Sequence, residues 1–212
     1  MKLLHIDSSV LGAMSASRQL TTKIRAKIVT ANPGIDVEYL DLAADPPGHL
    51  NADSLGFAAG QSAELSSVQR RENATSEALV SQFLSADLII VGAPLYNFNV
   101  PSQLKAWIDR IAQAGRTFKY TDRGAVGLAT GKTVFIASSR GGVYSTSEAA
   151  RAMEHQESYL QVMFGFLGIT DIRIVRAEGL AMGDAVRAEA MRAASAEINA
   201  LNVVSADESL VS

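Results

Sequence analysis

Three short stretches hold residues whose types and spacing suit an anion and a flat ring. "DSSVLGAMSAS" (7–17) carries Ser8, Ser9, Ser15 and Ser17 just ahead of a helical pattern. A helix N-terminus leaves N–H groups without partners and carries partial positive charge. With serine hydroxyls added, it can hold a phosphate monoester without a lysine. The same serines also serve as ordinary N-caps. "APLYNFNVP" (93–101) places Tyr96, Asn97, Phe98 and Asn99 between Pro94 and Pro101, where an apolar run stops. Aromatic faces beside exposed amides contact a flat heterocycle on face and edge. Read alone, the stretch is a turn flanked by core aromatics. "ASSRGGVY" (137–144) offers Gly141 and Gly142, which permit close backbone approach, beside the fixed cation Arg140. Read alone, it is a glycine turn.

Each stretch follows an apolar run that reads as a strand: "KLLHID" (2–7), "DLIIVGAP" (87–94) and "KTVFIASS" (132–139). "DIRIVRA" (171–177) is a fourth, and the more amphipathic "IDVEYLDL" (35–42) suits a sheet edge. Continuous apolar runs fit strands covered on both faces. Helical patterns alternate with them. Leu20, Ile24 and Ile28 recur at i, i+4, i+8, and Leu104, Trp107, Ile108 and Ile111 make a second apolar face behind Pro101. Met153, Leu160, Met163, Phe164 and Leu167 mark a helix ended near Gly168, and 61–85 and the alanine-rich 184–201 are two more. The alternation predicts one doubly wound α/β domain over 1–212, three layers deep, with a five-stranded parallel sheet in the order 2-1-3-4-5. Ligands of such sheets bind beyond the carboxyl ends of the strands, where all three stretches fall. Residues 43–60 form a long excursion, and the terminal "SADESLVS" is expected to fray.

Composition narrows the function classes. A net charge of −3 over 212 residues, with no long basic run, argues against nucleic acid. The absence of cysteine excludes disulfides and thiol chemistry. His5 and Asp7 interrupt the N-terminal apolar run, so no signal peptide is expected, and no run is long enough to span a membrane. A soluble cytoplasmic protein is expected. His5, His49 and His155 lack metal-ligand spacing, so no metal is expected. "ATGKT" (129–133) imitates a P-loop, but Val126 stands where its first glycine belongs and a strand follows it. "ASSRG" is one residue from a nucleophile elbow, which would make Ser139 a hydrolase nucleophile, yet only His155 lies downstream. Asp41 ends the edge strand where a ribose carboxylate could stand, without the glycine fingerprint that would accompany it.

Taken together, "SS" (8–9), "SAS" (15–17), "APLYNFNVPSQLKAWID" (93–109), "TFKYT" (117–121), "TGK" (130–132), "SRGG" (139–142), "FLGI" (166–169) and "AEG" (177–179) carry a resemblance over nearly the whole chain. The sequence resembles the FMN-dependent NADH:azoreductases, also called NADH:quinone reductases, of the flavodoxin-like superfamily. The resemblance implies an FMN phosphate held by Ser9, Ser15, Ala16 and Ser17. Ala16 replaces a frequent glutamine, leaving only its N–H. It implies an isoalloxazine ring against Pro94, Leu95, Tyr96, Asn97 and Phe98, closed on its other edge by Ser139, Arg140, Gly141 and Gly142. Leu95 replaces a frequent methionine of similar volume. Phe118 and Tyr120 would form an aromatic wall on the substrate side, while Tyr144 and Met163 stand at variable positions. Flavin carries its own redox chemistry, so no catalytic acid or base is required of the chain. The resemblance further implies NADH as donor, quinones and azo compounds as acceptors in ping-pong order, and a homodimer that completes each flavin site. A flavodoxin-type electron carrier is the alternative, although the excursion at 43–60 and the loop at 117–130 suggest walls around a substrate pocket.

Overall fold

A computed structural model describes residues 1–58 and 64–203. The elements run β1 (Lys2–Asp7), α1 (Ala16–Ala31), β2 (Asp36–Asp41), α2 (Ser67–Ser85), β3 (Leu88–Pro94), α3 (Ser102–Ile111), β4 (Phe118–Thr121), β5 (Gly124–Gly127), β6 (Thr133–Ser139), α4 (Glu148–Arg151), α5 (Glu157–Phe166), β7 (Asp171–Ala177) and α6 (Asp184–Ala200). The main sheet has the order β2-β1-β3-β6-β7, all parallel. With the β4–β5 hairpin set aside, this is the expected 2-1-3-4-5 order.

Side-chain alternation along the strands divides the core into two layers. Leu4, Ile6, Ile89, Val91, Val134 and Ile136 face α2, α3 and α5 through Phe83, Trp107, Ile108, Leu160 and Phe164. Leu3, Leu88, Ile90, Phe135 and Ala137 face α1 and α6 through Leu20, Ile24, Ile28, Ala194 and Ile198. β3 is buried at every position because it lies between β1 and β6 and is covered on both faces. Its Gly92 leaves no free room for a side chain: a Cβ there would stand 2.5 Å from Asp7 Oδ1 and 3.1 Å from Thr21 Cγ2, so these side chains would have to shift.

Several expectations are corrected. The helix expected over 61–85 begins at Ser67, capped by Ser66 with Gln69 reciprocating; its first residues, 61–63, lie outside the described residues, as does the expected frayed end. The helix expected from Met153 to Leu167 starts later, as α5 at Glu157, and Met153 lies in the connection between the short α4 and α5. The break is set by Glu154, whose carboxylate accepts the N–H groups of Gln156 and Glu157. The loop expected at 117–130 contains the antiparallel β4–β5 hairpin. Backbone crowding anchors that hairpin: a Cβ on Gly127 would stand 2.1 Å from Gly168 N. The excursion at 43–58 is tied down by Arg110, which is buried, donates to Gly48 O at 2.8 Å and pairs with Glu72 at 2.5 Å.

Candidate functional site

The carboxyl ends of β1, β3 and β6 carry the three stretches. Behind β1, the Ser8 hydroxyl donates to Gly92 O at 2.6 Å and fixes the loop to β3. Ser15 caps α1, accepting from Arg18 N, and its hydroxyl lies 3.0 Å from that of Ser17. The Arg18 guanidinium turns back to donate to Ser9 O at 3.0 Å and pairs with Asp41 at 2.5 Å. That hydrogen-bonded pair holds the Asp41 carboxyl below its usual range. Asp7 is also lowered: burial alone would raise it, but bonding and charge from His5, Thr21 and Arg18 outweigh that. Asp41 therefore anchors Arg18 at the end of the edge strand.

Beyond β3, Leu95 N donates to Ser139 O at 2.8 Å, tying the second stretch to the third. Tyr96 and Asn99 exchange backbone hydrogen bonds of 2.9 and 3.0 Å around a two-residue turn. Asn97 and Phe98 both take positive φ, +49° and +69°. This is the sign pattern of a type I′ turn, whose second position normally prefers glycine. Phenylalanine there is strained, and such strain concentrates at binding sites. The N–H groups of Asn97 and Phe98 reach no acceptor among the described residues.

Beyond β6, carbonyl bonding sets the direction of the free donors. Arg140 O, Gly141 O and Gly142 O accept from Leu180 N, Ala181 N and Gly179 N at 3.1, 3.0 and 2.9 Å. Each carbonyl and the following N–H point oppositely across one planar peptide. The N–H groups of Gly141, Gly142 and Val143 thus face away from 179–181, and none has an acceptor among the described residues. Successive free N–H groups form an anion-binding concavity.

Arg140 contributes differently from the expectation of a cation beside the ligand. Its guanidinium is buried and committed to Gln156 Oε1 (3.2 Å), Glu178 Oε1 (2.9 Å) and Glu157 (2.5 Å). The Glu157 contact is a charge contact without hydrogen-bond alignment. Glu178 also accepts from Tyr144 N and Ser145 Oγ. Burial raises the Glu178 carboxyl, and these donors more than reverse it. Glu157 is likewise lowered, burial being outweighed by Arg176, Ser138 and Arg140. Sequence reasoning missed Gln156. It is fully buried, donates through Nε2 to Ala93 O, and accepts from Ser138 and Arg140, so one amide joins the ends of β3 and β6. No periodicity marks such a residue in the sequence.

These loops enclose a cavity of about 200 Å³. Ser9, Ser15 and Ala16 line it from the first stretch, Pro94, Leu95 and Tyr96 from the second, and Ser139, Arg140 and Gly141 from the third. Leu11, Met14, Leu180, Ala181 and Arg187, none of them expected, also line it. Ser17 is buried behind Ser15. Asn97 faces an adjoining cavity of about 460 Å³ with Val10, Pro101 and Tyr159. Phe98 and Gly142 line neither; the Phe98 ring meets Tyr144 edge-on at 6.3 Å. Phe118 is a core residue packed on Phe166 at 4.6 Å, whereas Tyr120 is 74% exposed on the hairpin. Neither reaches the cavity of its own chain. A larger hollow of about 720 Å³ lies between α1 and α6, lined by Lys23, Lys27 and Ile198 and away from the strand ends, so size does not locate the site. The Ser139 hydroxyl bonds to no histidine among the described residues, which leaves the hydrolase reading without its base.

Comparison with known proteins identifies the family. The family described as having a flavodoxin-like fold matches residues 1–201. A Polaromonas naphthalenivorans protein named FMN-dependent NADH:quinone oxidoreductase is 66% identical over 93% of this chain and 91% of its own length. One of the same name from Delftia acidovorans is 64% identical over 93% of each chain. Among solved structures, a Bacillus anthracis azoreductase superposes with a TM-score of 0.85 at 30% identity, covering 95% of this chain and all of the other. An FMN-dependent NADH-azoreductase from the same species, solved in complex with FMN, matches equally well over 93% and 95% of the two chains. The sheet order and these relatives agree: the chain belongs to the flavodoxin-like family of FMN-dependent NADH:quinone oxidoreductases.

Proposed function

We propose that the chain is an FMN-dependent oxidoreductase that takes hydride from NADH and reduces quinones and aromatic azo compounds. The residues fit FMN on structural grounds. The cavity joins serine hydroxyls at the start of α1 to Gly141, whose N–H is the first of three consecutive free N–H groups after β6, and no carboxylate lines it. That row of free N–H groups at Gly141, Gly142 and Val143 is the observation that carries the reading.

Ser9, Ser15, Ala16 and Ser17 hold the phosphate, Ala16 through its N–H alone. Pro94, Leu95 and Tyr96 lie against the ring, and the strained turn at Asn97 and Phe98 presents two amide donors to its edge. Ser139, Arg140, Gly141 and Gly142 close the opposite edge through the backbone. When bound, FMN supplies the hydride chemistry itself. Preorganised N–H donors would favour negative charge on the bound ring without having to reorganise. Glu178, Gln156 and Arg140 keep those donors in place. Donor and acceptor use one open face in turn, which gives ping-pong kinetics, and an azo bond takes two donor cycles to yield two amines.

The whole chain acts as one flavin-binding unit in the cytoplasm. It works as a homodimer: Tyr120, exposed and remote from its own cavity, serves the partner's site. No helix among the described residues is long and apolar enough to cross a membrane.

The test is direct. Purified protein is expected to show a flavin absorption spectrum, or to gain one on titration with FMN, and to oxidise NADH with a quinone along parallel double-reciprocal lines. Protein that takes up no FMN refutes the reading. Flavin reduced only by a partner protein, and not by NADH, supports the electron carrier instead.

A further inference from the structure

Arginines near the strand-end loops divide into two kinds. Arg18 is neutralised by Asp41 at 2.5 Å, Arg140 by Glu157 and Glu178, and Arg176 by Glu157 at 2.5 Å. Arg187 differs. It lines the cavity together with Ser9, Ser15 and Ala16, and its guanidinium has no hydrogen bond or ion pair among the described residues. The residue is partly buried.

Its placement is disfavoured by the helix it stands on. Arg187 occupies the first turn of α6, its N–H donating to Gly183 O at 3.0 Å. The N-terminus of a helix carries partial positive charge, so a cation there is unfavourable unless an anion meets it; Asp184, the acid of that turn, makes no ion pair with Arg187 among the described residues. No side chain caps that end. The start of α6 is also held in register with the glycine loop, through the bonds from 179–181 to 140–142. The backbone carrying Arg187 is therefore fixed relative to the cavity wall. A guanidinium with spare donors, serine hydroxyls and an acid-free wall form a site for a phosphate monoester dianion.

We propose that Arg187 is a direct ligand of the FMN phosphate, supplying the cation that the serine loop lacks. This rests on the FMN reading above. It explains how Ala16 is tolerated at a phosphate loop that offers only backbone there: the missing side-chain contact is replaced from α6, across the cavity.

FMN and riboflavin differ by the phosphate alone, so they separate this role from ring binding. Apoprotein is titrated with each, following quenching of flavin fluorescence, for wild type, Arg187→Ala and Arg187→Lys. Arg187→Ala is expected to weaken FMN about 10- to 100-fold, the range of one lost charge-assisted hydrogen bond. Riboflavin affinity should stay within about twofold, since the ring contacts are unaltered. Arg187→Lys should recover part of the loss, and added salt should narrow the gap between wild type and Arg187→Ala. An unchanged ratio of FMN to riboflavin affinity overturns the proposal, whether both affinities hold or both fall. Unchanged FMN affinity with a raised KM for NADH also overturns it, and assigns the arginine to the donor instead. Wild-type protein that binds neither flavin refutes the FMN reading as well.

Discussion

Replacing Phe98 separates strain from packing, because its backbone and side chain pull in opposite directions. With φ at +69°, any L-residue pays about 1–2 kcal/mol relative to glycine for the left-handed conformation. Glycine in turn loses about 0.5–1 kcal/mol through the extra freedom of its unfolded chain. The side chain is 47% exposed and makes one edge-on ring contact with Tyr144 at 6.3 Å, a pair contributing about 0.5–1.5 kcal/mol. Phe98→Ala keeps the strain and loses the contact, so it should destabilise the apoprotein by about 1 kcal/mol. Phe98→Gly loses the contact but relieves the strain, and should lie within about 1 kcal/mol of wild type. The decisive quantity is the order of the two variants: glycine should exceed alanine by about 0.5–1 kcal/mol, the reverse of the ordinary ranking. Urea denaturation of flavin-free protein measures it, since bound ligand would add its own stabilisation. Both variants should bind FMN more weakly than wild type, because the turn no longer holds its two amides fixed. Alanine more stable than glycine at 98 would refute the strained turn.

Gly92→Ala should destabilise the fold by about 1–3 kcal/mol, the usual cost of overpacking, because the added Cβ meets the Asp7 carboxylate at 2.5 Å; a denaturation midpoint equal to wild type would contradict the β1–β3 register. Folding stability should fall as pH drops below the ordinary glutamate value of 4.5, because Glu157 and Glu178 are lowered in the folded state and their contribution, complete above that value, is lost through the lowered ones. Glu178→Gln should flatten that slope in urea titrations between pH 3 and 6, and an unchanged slope would remove Glu178 from the account.

Periodicity carried most of the sheet. Apolar runs marked β1, β3, β6 and β7, and their alternation with helices implied the parallel order. The β4–β5 hairpin was hidden because its strands are four residues each and mostly exposed, so no buried face repeats along them. The break between α4 and α5 depends on Glu154 accepting two backbone N–H groups, which leaves no mark on apolar spacing. Within the proposed site, the serines, the aromatic turn and the glycine pair were legible as candidates because residue type alone points to a use. Gln156 and Arg187 were not. A buried amide bridging two strand ends and an unpaired arginine across a cavity are properties of tertiary arrangement, and each resembles a surface residue until the chain is folded. Arg140 was legible as a cation, but its commitment to Glu157 and Glu178 was not.

The free donors at Gly141, Gly142 and Val143 belong to the main chain, and so do those at Asn97 and Phe98. Alanine scanning would pass over them, because exchanging a side chain leaves the peptide N–H in place. Substitutions that remove the hydrogen, such as Val143→Pro, would expose them. On the proposed function, surrounding side chains could change while these donors persist, so residue identity alone would understate how much of the binding edge two sequences share.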